Sequence, residues 1–263
     1  MPKTMDIAFF SFNGHQHLLI QGLKQVIKHV PNFRNIILVW DDYLRISPID
    51  FQQVEQEVSH PLKIVKHTDL DPWPKCIGEW GWIKQQLVKL RCMEYSDADY
   101  VWICDGDVMI INDPVLFIND KPVLRYDSYL TRCMDYVGFI EKYFGINEFD
   151  PNQNWVGSTC LFDTEICREI FDTCLSRNNR TLIECVVEAI EQRTSDFPFS
   201  EFDLYGSFCY NKYRDKFFVT EKNWNYAPSR QGLTFPIQIM WYQFFPKNLN
   251  RAKDIACTFE HLA

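Results

Sequence analysis

The sequence predicts an α/β protein, with a mainly parallel central sheet flanked by helices and a mixed second half. Two observations carry that expectation. Short apolar runs alternate with helix-like stretches through the first half, the rhythm of βαβ units. Acidic residues stand where several of those runs end, and parallel sheets collect ligands beyond the carboxyl ends of their strands.

In chain order, Ile7 to Phe12 reads as a buried strand, and Gln16 to His29 places Leu19, Leu23, Val26 and Ile27 at helical spacing. Asn35 to Trp40 is a second strand ending in Asp41-Asp42, and Leu62 to Val65 a third. Trp82 to Tyr95 reads as one amphipathic helix, with Ile83, Leu87 and Leu90 on its apolar face and Gln85 and Lys89 sharing another. Tyr100 to Cys104 is a fourth strand, ending in Asp105-Gly106-Asp107. Beyond it, Lys121 to Tyr126, Ser158 to Phe162 and Lys216 to Thr220 read as strands, and Thr164 to Leu175 and Leu182 to Gln192 as helices. Ser200-Glu201-Phe202-Asp203 opens a further helix, because a hydroxyl cap followed three residues later by a carboxylate is a capping-box variant. With no linker-like stretch and no repeat, residues 1–263 read as one domain.

Composition narrows the function. Apolar residues make up 46% of the chain and aromatics 16%, which excludes disorder and low-complexity architecture. A net charge of −8 without a long basic run argues against nucleic acid or anionic lipid as a partner, so any phosphate must be met locally. No stretch of about 18 apolar residues marks a transmembrane segment. The ten cysteines form no C-x-x-C pair and read as reduced thiols. The opening residues lack a signal-peptide pattern, so a cytoplasmic protein is expected, in the host cytoplasm if the chain is phage-encoded.

Asp-x-Asp is a cheap pattern: with 21 Asp in 263 positions, chance gives about 1.7 occurrences. Three occur, at Asp69, Asp97 and Asp105, and only Asp105-Gly106-Asp107 follows an apolar strand and precedes another apolar run. Two carboxylates at a strand end offer hard oxygen ligands to Mg²⁺ or Mn²⁺, leaving other positions for diphosphate oxygens. A pair of solvated turn aspartates is the plainer alternative.

Three blocks in this order carry a resemblance: Gly81-Trp82-Ile83-Lys84-Gln85-Gln86-Leu87-Val88-Lys89-Leu90, Ala98 to Val108 around the Asp-Gly-Asp triplet, and Phe199-Ser200-Glu201-Phe202-Asp203-Leu204-Tyr205-Gly206. They resemble the nucleotide-sugar-dependent glycosyltransferases of the GT-A fold with a DXD motif, and more narrowly small bacterial and phage-encoded members. The resemblance implies a GT-A type, Rossmann-like fold, with residues 1–110 as the nucleotide-sugar-binding half and 111–263 as the acceptor half. It implies a metal-dependent hexosyltransferase that moves a sugar from a nucleotide-sugar, a UDP-sugar being expected, to a hydroxyl acceptor.

Carried over residue by residue, the resemblance makes Asp105 a partner of the donor ribose and, with Asp107, of the Mn²⁺ or Mg²⁺. His261 would be the third metal ligand, a frayed terminal histidine being the alternative. Lys89 and Gln85 would face the donor phosphates, and Phe12, Asn13 and Asp41 the nucleoside. Glu201 is the candidate catalytic base, or an acceptor-holding carboxylate if anomeric configuration is retained; helix-dipole stabilisation is its structural alternative. Trp155 reads first as a core residue and second as a platform for a sugar face.

Rival functions are weaker. A haloacid-dehalogenase-type phosphatase needs Thr or Val where Met109 stands and usually carries its motif on the first strand. A nucleotidyltransferase usually shows a Gly-rich basic loop after its first strand, which Ser11-Phe12-Asn13-Gly14-His15 is not. A catalytically inactive carbohydrate-binding or assembly module of the same fold is the third alternative.

Overall fold

The computed structural model describes residues 3–11, 16–42, 49–70, 73–74, 81–106, 108–110, 113–128, 132–157, 159–192, 198–221 and 256–258. Its central sheet has five strands: β1 (Met5–Ser11), β2 (Ile36–Trp40), β3 (Leu62–Lys66), β4 (Tyr100–Asp105) and, later in the chain, β8 (Thr159–Asp163). Their order is β3-β2-β1-β4-β8. The first four run parallel, and β8 runs antiparallel to β4, which is the mixed second half that the sequence predicts.

Period-two alternation divides the apolar strand residues between two cores. Ile7, Phe9, Leu38, Tyr100 and Trp102 point to one face, covered by α1 (Gln16–His29) and α2 (Phe51–Val58). Ala8, Phe10, Ile37, Val39, Val101 and Ile103 point to the other. There they meet α3 (Gly81–Leu90), α4 (Cys92–Tyr95), α5 (Met134–Phe144), α6 (Thr164–Asn178), α7 (Leu182–Glu191) and α8 (Glu201–Tyr213). Fully burying one of these large side chains stabilises the fold by roughly 1.5–3 kcal/mol.

Smaller strands complete the fold. β6 (Phe117–Ile118), β7 (Lys121–Tyr126) and β9 (Phe218–Glu221) form one sheet, and β5 (Val108–Ile110) pairs antiparallel with β10 (Ala256–Thr258).

The single helix predicted over Trp82 to Tyr95 is interrupted at Arg91, whose guanidinium reaches the Leu70 carbonyl and the Glu94 carboxylate. Nor is it amphipathic: Ile83 through Leu90 are all buried, including Lys84, Gln85, Gln86 and Lys89. The helices Phe51–Val58 and Met134–Phe144 are additions to the sequence reading; the first buries only Val54 and Val58, too short a stripe for periodicity to announce. Cys92, Cys104, Cys133, Cys160, Cys167, Cys174, Cys185 and Cys209 are free thiols. Among the described residues no helix is long and apolar enough to cross a membrane.

Candidate active site at the carboxyl edge of the sheet

The four parallel strands end on one edge. The register aligns Phe10 with Asp105 and Ser11 with Trp40, so Asp105 and Asp41 stand on either side of the end of β1. Helix α3 lies behind that edge, and the first turn of α8 reaches it from the second half of the chain.

Local chemistry holds α8 there. The Ser200 side chain accepts from the Asp203 N–H at 3.4 Å, as its sequence predicts, while the Asp203 carboxylate receives the Arg132 guanidinium at 2.9–3.1 Å. Gln86 on α3 accepts the Glu201 N–H at 3.2 Å, which ties the two helices together at an otherwise orphaned donor. Tyr205 stacks on Phe162 with centroids 4.2 Å apart, and its hydroxyl accepts from the Asp163 N–H at 2.8 Å. Gly206 allows the closest approach: a Cβ there would collide with the Trp155 ring. Trp155 is itself buried, the core role that the sequence reading put first.

At the centre, Lys89 Nζ lies 2.6 Å from Asp105 Oδ1 and 2.7 Å from Glu201 Oε1. The Lys89 and Glu201 side chains are 2% and 0% exposed, whereas Asp105 keeps 17% toward the open edge. Phe202 and Phe10 present their rings to the ammonium at 4.6 and 5.8 Å. The contact is ionic rather than well directed, because Asp105 Oδ1 and both Glu201 oxygens receive no aligned hydrogen bond from the described residues. One positive and two negative charges share a dry space. Burial raises the Glu201 pKa, Lys89 opposes that, and the Asp105 charge adds to it. Burial likewise raises Asp105 against the pull of Lys89. For Lys89, burial acts to lower the pKa, and the two carboxylates outweigh it, so the net shift is upward.

A second buried ion pair lies across β1. Lys84 Nζ is 3.4 Å and His67 Nδ1 3.6 Å from the same Asp41 oxygen, Oδ1. Asp42, the neighbouring carboxylate, instead accepts from the Thr68 N–H at 3.1 Å and organises that turn.

Of the residues singled out from sequence, Asp105, Lys89 and Glu201 meet at one point, Gln85 lies buried on the same helix as Lys89, and Asp41 stands in the second pair. Lys89 does not present a solvated face; its charge is taken up by the two carboxylates. Phe12, Asn13, Asp107 and His261 lie outside the described residues. Lys84, His67, Gln86 and Arg132 escaped the sequence reading: Lys84 and Gln86 belong to a polar run on their helix, and His67 and Arg132 lie outside the helices that the sequence predicts, so no local pattern marks them as buried.

Asp105 fits as one hard oxygen ligand of a metal, with its carboxylate at the open edge. Among the described residues no three His, Cys, Asp or Glu side chains converge as a metal site. The pairing of β10 with β5 sets Thr258 opposite Val108, so the chain three residues before His261 runs beside the residue that follows Asp107.

No protein-family model matches the chain, and no curated protein matches it in sequence. Solved structures do. The apo bifunctional glycosyltransferase WbbM superposes with a TM-score of 0.54 at 14% identity, over 100% of this chain and 46% of WbbM. The galactosyltransferase LgtC, solved in complex with donor and acceptor sugar analogues, superposes with a TM-score of 0.49 at 15% identity, over 98% of this chain and 88% of LgtC. The apo glycosyltransferase GlyE of Streptococcus pneumoniae TIGR4 follows at 0.46 and 11%, over 98% of this chain and 55% of GlyE. The chain thus spans about half the length of WbbM and of GlyE. At these identities the likeness is one of fold: the chain has the α/β architecture, with a mostly parallel sheet, of a known glycosyltransferase.

Proposed function

We propose that this protein is a glycosyltransferase that moves a sugar from a nucleotide-sugar donor, a UDP-sugar in the first instance, to a hydroxyl acceptor. One observation carries the reading: in a chain with a glycosyltransferase fold, Asp105, Lys89 and Glu201 converge at the carboxyl edge of the parallel sheet. Residues 1–110 would bind the donor and residues 111–263 the acceptor, with Glu201 delivered from the second half to the first.

Transfer breaks the bond between the sugar C1 and the diphosphate and makes one to the acceptor oxygen, whose proton must leave. Glu201 is the candidate to receive it, since burial raises its pKa toward the range in which a carboxylate works as a base. Asp105 would accept from a ribose hydroxyl, and Lys89 holds both carboxylates in place while bringing positive charge to the donor end. Asp41, with Phe12 and Asn13 after the neighbouring strand, would take the nucleoside, and Gln85 would support the donor side. Asp105, Asp107 and His261 would hold Mn²⁺ or Mg²⁺, a proposal favoured by the β5–β10 register. When bound, such an ion neutralises the departing diphosphate.

A thermal-shift and hydrolysis screen of nucleotide-sugars with and without Mn²⁺ tests the proposal. Stabilisation by a donor, with metal-dependent hydrolysis that Asp107→Ala abolishes without unfolding the chain, is the expected result. No stabilisation by any nucleotide would sink it, and stabilisation without turnover would favour the carbohydrate-binding module.

A further inference from the structure

Helix α3 carries two buried lysines, of which the proposed transfer chemistry uses only Lys89. Lys84 and Lys89 are five residues apart, about 7.5 Å along the helix axis. Asp41, the partner of Lys84, directly follows β2, and Asp105, a partner of Lys89, ends β4; the two strands are two apart in the sheet and so about 9.6 Å from each other. The helix therefore spans the end of β1 and delivers one ammonium to each side of it. The Lys84 and Asp41 side chains are 1% and 8% exposed. A lysine is almost never fully buried without a partner, and an aspartate at a strand end gains nothing for the fold by being drawn out of water.

The imidazole beside them gives a second sign that the place is built. His67 is 2% exposed, and its Nδ1 has no hydrogen-bond partner among the described residues. Burial lowers its pKa to about 4, with Lys84 adding to the effect against the opposing pull of Asp41 and Asp42, so the ring is neutral at physiological pH. Lys84 is then the cation that faces Asp41.

We infer that Lys84 is a positioning residue: beside the buried His67 ring it clamps Asp41 at Oδ1, fixing that carboxylate as the acceptor for an N–H or O–H group at the nucleoside end of the donor. The inference rests on the nucleotide-sugar reading and assigns its two ends to two buried ion pairs on one helix. Asp41 loses its orientation when Lys84 is removed, and nucleoside affinity goes with it.

Free UDP and uridine, titrated by calorimetry into the full chain, test this. Lys84→Met should weaken both ligands at least tenfold and lower Tm, and Lys84→Arg, which keeps the charge, should recover most of the affinity. The charge-neutral double variant Asp41→Asn/Lys84→Met separates positioning from mere stability, and carries the test should the single variant fail to fold. It should regain the wild-type Tm without regaining the affinity for UDP. UDP binding by the double variant within threefold of wild type overturns the inference and leaves the glycosyltransferase reading standing. Failure of the wild-type chain to bind UDP, GDP, ADP or CDP overturns both.

Discussion

Asp6, at the amino edge of the sheet, and Glu201, at the carboxyl edge, are equally buried carboxylates in opposite circumstances. Asp6 accepts from Arg34 Nε and Nη2 at 3.1 and 3.0 Å, from Asn35 at 3.1 Å and from the Ser96 hydroxyl at 2.7 Å. Its acceptor capacity is filled, and the arrangement pins the start of β1 to neighbouring loops. The hydrogen bond that Asp6 accepts from Arg34 also leads the upward shift of the Arg34 pKa. Glu201 has a single ammonium 2.7 Å away, shared with Asp105, and no aligned hydrogen bond among the described residues. Saturation marks a carboxylate that serves the fold, and spare acceptor capacity in a dry place marks one held for something else.

The sharpest way to break this contrast is Lys89→Met. It strands two buried carboxylates and should cost about 3–5 kcal/mol, read by urea denaturation at neutral pH. The loss should shrink as pH falls, because the stranded groups take up protons. A cost under about 1 kcal/mol would mean that the ammonium does not hold them.

Glu201→Gln preserves shape and removes the negative charge. Sugar transfer should fall by about 10²–10⁴, the range for loss of a general base, while donor binding changes far less. Equal losses in transfer and in binding would withdraw the base assignment.

Asp6→Asn replaces the saturated acceptor and should cost about 1–3 kcal/mol of stability through its unsatisfied partners, with turnover unaltered. A fall in turnover larger than the fall in folded protein would erase the distinction between the two edges.

A pH slope from His67 adds a further test. Its folded pKa, about 4, lies below the ordinary 6.5, so on acidification the unfolded chain binds the proton first. The stability due to the neutral ring is complete above about pH 6.5, declines toward pH 4 and is gone below it. Tm measured across that window should lose this component of its slope in His67→Gln, and an unchanged slope would remove His67 as its source.

Much of the fold could be read in advance. Gln16–His29 and Lys121–Tyr126 occupy the spans that their periodicity predicts, and β2, β3, β4 and β8 differ from theirs by a residue or so at an end. The site was half legible. Asp105 and Glu201 announce themselves by place, at a strand end and a helix cap. Lys84 and Gln86 do not, because Lys84-Gln85-Gln86 looks like the solvated side of a helix until other helices are packed over it.

The amino-acid order alone determined most of the strands and helices, that the first strands lie parallel, and which carboxylates stand at element ends. Those properties follow from spacing and local capping, which act over a few residues. Tertiary structure alone decided that Lys89 faces inward, that Glu201 crosses from the far half of the chain to meet it, and that Asp41 has a cation of its own. Ion pairing between residues more than 40 positions apart depends on which faces are dried by packing, and no local pattern encodes that.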